Sequence, residues 1–489
     1  MKKLLGSSFV LLLLQSIFLL SSCSKEYNDS DLQKKIDELQ NQNIETEIIF
    51  STGSLIPSFD KSTKEYSVSS LNSLHPITIT VKCNPNYDVF IENNKVTPNK
   101  PFEIKIDKLD WAKQLSIKID NKIYYINTIP DDFPRYKCVS NNPTPGNIYL
   151  GYTGTPMMML SNIGELLYYK ANGSYYMDFK KVFNSKGEIR YTAIRTDNTP
   201  KVEGVGYELG IVEVMNERFE IIDEVKMLPS INVPGGNYSE NHDFCFIDDQ
   251  HYIVSGYIPM KVNNIPAYIS QNPAGTKVVA SILQEIKNGS IVWEWNSTKF
   301  PHLYESSIES NDYTNALNPW CDYMHFNSMV IDPDDGNLIC SFRHQDAIMK
   351  INRNDGQIMW YLGGANDNFG LTSNQKLKRQ HFAQVFVNSD GSKTITCFDN
   401  RTGENAARVV EFTVNESAKT LIDFHELVGP YSSMYMGSAQ KRNGTYFIGW
   451  GSNGTPKVDA TEIATDGTSI SFELYLPIGK SSYRAYKIE

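Results

Sequence analysis

Between residues 46 and 140 apolar side chains recur at every second position: Tyr66 and Val68, Ile77 and Ile79, Phe102 with Ile104 and Ile106, then Leu115, Ile117 and Ile119. A period of two predicts strands with one face buried and the other in water. These strands are short and separated by Asn-Pro and Asn-Asn turns, which predicts a small β-sandwich. The stretch before it changes period. In DSDLQKKIDELQNQN (29–43) Leu32, Ile36 and Leu39 fall at helical spacing, so a short helix is expected. Barely two heptads long, it reads as a spacer rather than a coiled-coil stalk. After the linker NNPTPGN (141–147), nearly every segment from Ile148 onward is strand-like, with turns at SNIGE, NSKGE, PDDGN, NRNDGQ, NSDGS, KRNGT and ATDGT.

The strands of 148–489 repeat. HFNSMVIDPDDGNLICSFRHQDAIMKINRNDGQIMWYLGG (325–364) matches residues 381–424, which begin HFAQVFVNSDGS, strand for strand. HDFCFIDDQHYIVSGY (242–257) begins a longer copy, GSAQKRNGTYFIGWG (437–451) begins another with Ser438 where histidine stood, and two weaker copies occupy 148–235. Four strands per unit and about six units describe a six-bladed β-propeller. The fold class is therefore all-β, with the sandwich ahead of the propeller.

That architecture gives the histidines their meaning. The innermost strands of all blades run along one channel, so residues that start them surround one of its mouths. His242, His325 and His381 hold matched repeat positions and are expected to converge there. His75, His251, His302, His344 and His425 lack this placement and read as ordinary core or surface histidines. Arg343 ends the second strand of the His325 unit, in SFRHQDA (341–347), where a planar guanidinium fork suits a tetrahedral oxyanion such as sulfate or phosphate. Three histidines can also hold zinc. No carboxylate or cysteine is evidently partnered with them, however, and the guanidinium would repel a divalent cation, so no metal is expected. A serine-hydrolase GxSxG and glycine-rich phosphate loops are missing as well. PWCDY (319–323) and WEWN (293–296) read as blade packing that also offers surface to an aryl group.

Charge and address narrow the partners. Lys and Arg total 46 against 56 Asp and Glu, a formal charge of −10, which disfavours nucleic acid and general attraction to anionic lipid. The start, MKKLLGSSFVLLLLQSIFLLSSC, joins basic residues to a short apolar run and small residues before Cys23, a secretory signal over 1–22. Leu20-Ser21-Ser22-Cys23 resembles the lipobox of bacterial lipoproteins. The resemblance implies lipid on the Cys23 sulfur, a tether and short helix over 23–45, and a membrane-anchored chain. Ser24 is not the Asp that retains many such lipoproteins in the inner membrane, so the periplasmic side of the outer membrane or the surface of a Gram-negative cell is expected. Six further cysteines allow up to three disulfides, but Cys340 and Cys397 read as buried apolar side chains.

Two segments carry family resemblances. GSLIPSFDKSTKEYSV (53–68) resembles the opening of bacterial cadherin-like modules, which makes the sandwich immunoglobulin- or cadherin-like, with spacing or docking as its role. Over most of 148–489, HDF, DYMHFNS with SFRHQDAIMKI, RQHFAQ with CFDNR and ARVVEF, then GSAQ and GWG, are similar in order and spacing to bacterial arylsulfate sulfotransferases. That resemblance implies a six-bladed propeller behind a small sandwich. It also implies transfer of a sulfuryl group from a phenolic sulfate donor to a phenolic acceptor, with no cofactor and without phosphoadenosine phosphosulfate. His381 is then the nucleophile, and His242, His325 and Arg343 bind the sulfuryl group. Phe382 stands where many relatives have an acidic or small residue, so an altered pocket wall is expected. A homodimer is admitted. A noncatalytic propeller that binds a ligand or protein, and a sulfatase releasing sulfate to water, are the alternatives.

Overall fold

The computed structural model describes residues 45–152, 155–196, 204–269, 275–314, 320–404, 406–452 and 458–489. The signal, Cys23 and the helix expected at 29–43 lie outside these residues. Among the described residues, no helix is long and apolar enough to cross a membrane.

The N-terminal alternation produces two packed sheets. One has three strands, Glu47–Phe50, Ile77–Lys82 and Pro101–Ile104. The other has six, including Glu65–Val68, Gln114–Ile119 and Lys122–Asn127. Ile77, Ile79 and Val81 bury their side chains between the sheets against Val68, Leu115 and Ile117, while the residues between them are partly exposed. Burying one face of each sheet is what a period of two provides.

The rest of the chain forms six antiparallel blades. The second to fifth begin with inner strands Tyr175–Phe183, Phe244–Asp248, Phe326–Ile331 and His381–Val387, and the sixth begins with Ser438–Arg442. The first blade takes its inner strand from the other end of the chain: Ala485–Ile488 pairs with Asn147–Tyr152. Each inner strand touches the next, and Ser438–Arg442 touches Ala485–Ile488, so the ring closes. Closure removes free inner edges.

Two strands from the N-terminal part extend propeller sheets. Ser70–Asn72 pairs with Leu166–Lys170 on the outer edge of the first blade, and Lys137–Ser140 pairs with Ile470–Tyr475 on the outer edge of the sixth. These two blades flank the seam where the chain ends meet. A single apolar core runs from Val68, Leu71 and Phe133 of the N-terminal part into Ile148, Leu150, Phe447 and Phe472 of the blades. All six described cysteines are free, and Cys340 and Cys397 are buried in blade packing.

Candidate active site

His381 is the first residue of its inner strand, and His325 and His242 stand one and two residues ahead of theirs. In the two blades of the long repeat, pairing with the second strand slips just beyond the histidine, between His381 and Gln384 and between Phe326 and Ser328. Such bulges re-aim side chains at the rim of a sheet. All three imidazoles and Arg343 line one cavity of about 360 Å³, so the four residues picked out in the sequence are brought together. The His242 and His325 ring centres are 5.1 Å apart.

His381 is held by a chain of oriented groups. The Asn400 side-chain amide donates to Ser433 Oγ at 3.0 Å and to the Met436 carbonyl at 2.9 Å, which turns its Oδ1 toward His381. His381 Nδ1 lies 2.7 Å from that oxygen and 3.1 Å from the Arg379 carbonyl, so Nδ1 carries the proton. Nε2 then keeps its lone pair, toward which the Met436 N–H points at 3.2 Å. Burial, and after it the Arg343 charge, hold His381 well below the usual imidazole range, so the ring is neutral. The residue before it is anchored too: Gln380 donates to Ser341, Phe342 and Ala347, and its carbonyl accepts from Asn327.

The other two imidazoles each have a buried carboxylate behind them. His242 Nδ1 hydrogen-bonds Glu240, whose second oxygen accepts from Ser255. His325 Nδ1 lies 2.6 Å from Asp322 Oδ2. Burial drives His325 down to about 3 despite this carboxylate, whereas Asp322, which burial alone would raise, is held low by the His325 contact. Asp322 is thus ionised and His325 neutral near pH 7. With Nδ1 so engaged, and no partner for Nε2 among the described residues, Nε2 is the nitrogen that each ring has left to meet a ligand. The expectation that no carboxylate accompanies the histidines is therefore corrected. Asp322, His325 and His344 cluster closely enough to suggest a cation site, but His325 is bonded to Asp322, His344 donates Nδ1 to the Asp322 carbonyl, and a guanidinium adjoins them. That donor set is already committed to hydrogen bonds and does not fit a metal.

Arg343 opens a single 3-10 turn, Arg343–Gln345, rather than ending a strand. Its backbone N–H bonds the His325 carbonyl at 2.8 Å, and that of His344 bonds the Met324 carbonyl, which pins the turn to the start of the inner strand. Arg343 Nη1 donates to Glu309 at 3.0 Å and lies 2.7 Å from His344 Nε2. A guanidinium nitrogen can only donate, so that shorter contact makes His344 Nε2 an acceptor, although Glu309 Oε1 is also 3.5 Å from it. His344 further stacks on His325 at 4.4 Å.

His344, set aside in the sequence, is thus part of the site, and its adjacency to Arg343 was the available signal. Asn400 was missed although it follows the second strand of its blade as Arg343 does in the preceding one. His75, His302 and His425 do not line the cavity, nor does His251, which binds Glu285 at 2.7 Å. Phe382 does not form a pocket wall. Its φ of +58° turns it away, and its ring packs on Tyr486 and under the Arg484 guanidinium.

A family model described as arylsulfotransferase (ASST) matches residues 113–487. No curated protein matches the chain. Solved structures similar to it include virginiamycin B lyase from Staphylococcus aureus, at 12% identity over 70% of this chain and 100% of that one, with a TM-score of 0.31. Another is the periplasmic gluconolactonase of Pseudomonas aeruginosa, at 11% identity over 71% and 99%, with a TM-score of 0.38. A third is the β-propeller domain of Cps50 (Swd1) from Myceliophteria thermophila, at 10% identity over 70% and 98%, with a TM-score of 0.31.

Proposed function

Because the chain belongs to the arylsulfotransferase family, we propose that it moves a sulfuryl group from a phenolic sulfate ester to a phenolic acceptor in two steps, through a sulfohistidine on His381 and without phosphoadenosine phosphosulfate. The observation that carries this reading is a neutral His381 that lines the same cavity as Arg343 and whose Nδ1 proton is tied to Asn400, which leaves the lone pair on Nε2. In the first step the Nε2 lone pair attacks sulfur, an N–S bond forms, the bridging S–O bond breaks, and the phenolate departs. The Met436 N–H must release Nε2 for this attack. In the second step the acceptor oxygen attacks the same sulfur and the N–S bond breaks, which restores His381. Arg343 stabilises the oxygens of the group in transit. The first phenol leaves as the phenolate; in the second step the acceptor's proton goes to Nε2 of an imidazole backed by a carboxylate and is then released to water, and the cavity holds two such pairs, His242–Glu240 and His325–Asp322.

We also propose that lipid on Cys23 anchors the enzyme at the periplasmic side of the outer membrane or at the cell surface. Loss of lipid incorporation in Cys23→Ala is the expected result. The function is tested by release of 4-nitrophenol from 4-nitrophenyl sulfate with and without phenol. Acceleration by phenol, with phenyl sulfate formed in step, supports transfer. Inorganic sulfate released at a rate indifferent to phenol would make the protein a sulfatase.

A further inference from the structure

Two side chains that line the cavity hold a buried hydrogen-bonding atom with no partner among the described residues: Arg343 Nε and Tyr483 Oη. Arg343 has its role above; Tyr483 has none. A buried hydroxyl without a partner costs about 1–3 kcal/mol of desolvation, so folded chains seldom keep one where nothing will meet it.

Tyr483 is also built in with care. Its ring stands edge-on to His242 at 5.5 Å, clusters with Met177 and Met436, and has the Arg484 guanidinium 4.9 Å from its centre. The backbone around it is fastened on every side. The Tyr483 carbonyl accepts from Gly437, the Ser482 hydroxyl bonds Asp459 at 2.8 Å, the Arg484 guanidinium reaches Asp178 at 3.2 Å, and the Ala485 carbonyl accepts from Ser438 at 2.9 Å. The ring is thereby fixed while its buried hydroxyl is left without a partner among the described residues. Tyr257, whose ring stacks on His242 at 5.4 Å, makes the contrast: its hydroxyl already donates to the Phe326 carbonyl.

We propose that Tyr483 is a further catalytic residue whose hydroxyl donates a hydrogen bond to a sulfuryl oxygen of the bound aryl sulfate, beside Arg343 Nε. This deepens the transferase reading and rests on it for the identity of the anion. Burial pushes the phenol well above its ordinary range, so the hydroxyl stays protonated and remains a donor throughout the working pH. The Tyr483 proton is not transferred. Its bond strengthens as charge grows on the oxygens of the group in transit, and it is absent in the empty enzyme.

The test is Tyr483→Phe, which keeps the ring and deletes only the hydroxyl. Because that hydroxyl has no partner among the described residues, the thermal midpoint should stay within about 2 °C of wild type or rise. The kcat/KM for 4-nitrophenyl sulfate should fall about 10- to 100-fold. Stabilisation of the protein by added 4-nitrophenyl sulfate, which needs no turnover, should shrink as well. Equal stabilisation of both proteins by the ester would overturn the assignment, and so would a lowered midpoint with unchanged kcat/KM, which marks a structural hydroxyl. If wild type is stabilised but transfers nothing, while Tyr483→Phe is not stabilised, the contact stands and the transferase reading falls.

Discussion

Replacing Asn400 by Ala separates the tautomer of His381 from its position. Asn400 is 1% exposed and makes three hydrogen bonds, to His381 Nδ1, Ser433 Oγ and the Met436 carbonyl. At about 1 kcal/mol net for each, the substitution should cost about 3 kcal/mol of stability. The chemical effect is smaller and more specific. His381 Nδ1 loses its 2.7 Å acceptor but keeps the Arg379 carbonyl at 3.1 Å. Losing about 1–1.5 kcal/mol of preference for the Nδ1–H form lowers the ratio of the attacking tautomer to the idle one about five- to tenfold. The assay is the pre-steady-state burst of 4-nitrophenol at saturating 4-nitrophenyl sulfate without acceptor. The burst rate constant of Asn400→Ala should fall measurably, by no more than that factor, with little change in the donor concentration needed for half-saturation. Asn400→Asp retains an acceptor for Nδ1 and should keep most of the burst near neutral pH. Its charge favours the imidazolium, however, so its burst should fade in mild acid where wild type still reacts. A wild-type burst from a destabilised Asn400→Ala would refute the reasoning and leave Asn400 a structural residue.

His344 should act on the donor through Arg343. His344→Ala leaves Arg343 Nη1 with Glu309 alone and should lower kcat/KM for the aryl sulfate about tenfold, while His344→Gln, which can restore an acceptor near Nε2, should recover most of it; equal losses in both variants would count against a hydrogen-bonding role. Acid should weaken the fold through His325 and His381, both buried and neutral when folded. Their folded pKa values lie below that of an unfolded imidazole, about 6.5, so their contribution is complete above that pH and drains away as pH falls, for His325 down to about 3. At pH 5 His325 alone costs about 2 kcal/mol. The thermal midpoint should therefore drop between pH 7.5 and 5, and His325→Gln should flatten the drop.

The parts of this molecule governed by local period were legible in the chain. Alternation at Ile77, Ile79 and Val81 is the burial that the strand adopts, and the repeat register that aligned His325 with His381 is the register of the blades. Seam closure was not legible, because the partner of Ala485–Ile488 lies more than three hundred residues away, at Asn147–Leu150, and a four-residue strand carries little pattern of its own. The strands Ser70–Asn72 and Lys137–Ser140 were assigned to the sandwich for the same reason: pairing across an edge leaves no mark in the period. Within the site, repeat symmetry singled out the imidazoles but said nothing about what stands behind them. Glu240 and Asp322 precede their histidines by two and three residues, one in the two-residue strand Ser239–Glu240 and the other outside any strand, and neither stretch is long enough to show a period. Phe382 was misplaced because strand alternation cannot anticipate a positive φ next to a bulge.

The proposed chemistry centres on His381 Nε2. Intact-protein and peptide mass after brief exposure to 4-nitrophenyl sulfate without acceptor should reveal the mass of one sulfuryl group on the peptide that bears His381. Phenol should discharge it, and His381→Ala should never acquire it. A wild-type protein that turns over the ester while its His381 peptide stays unmodified, or a His381→Ala variant that transfers at the wild-type rate, would contradict the sulfohistidine and the site built around it.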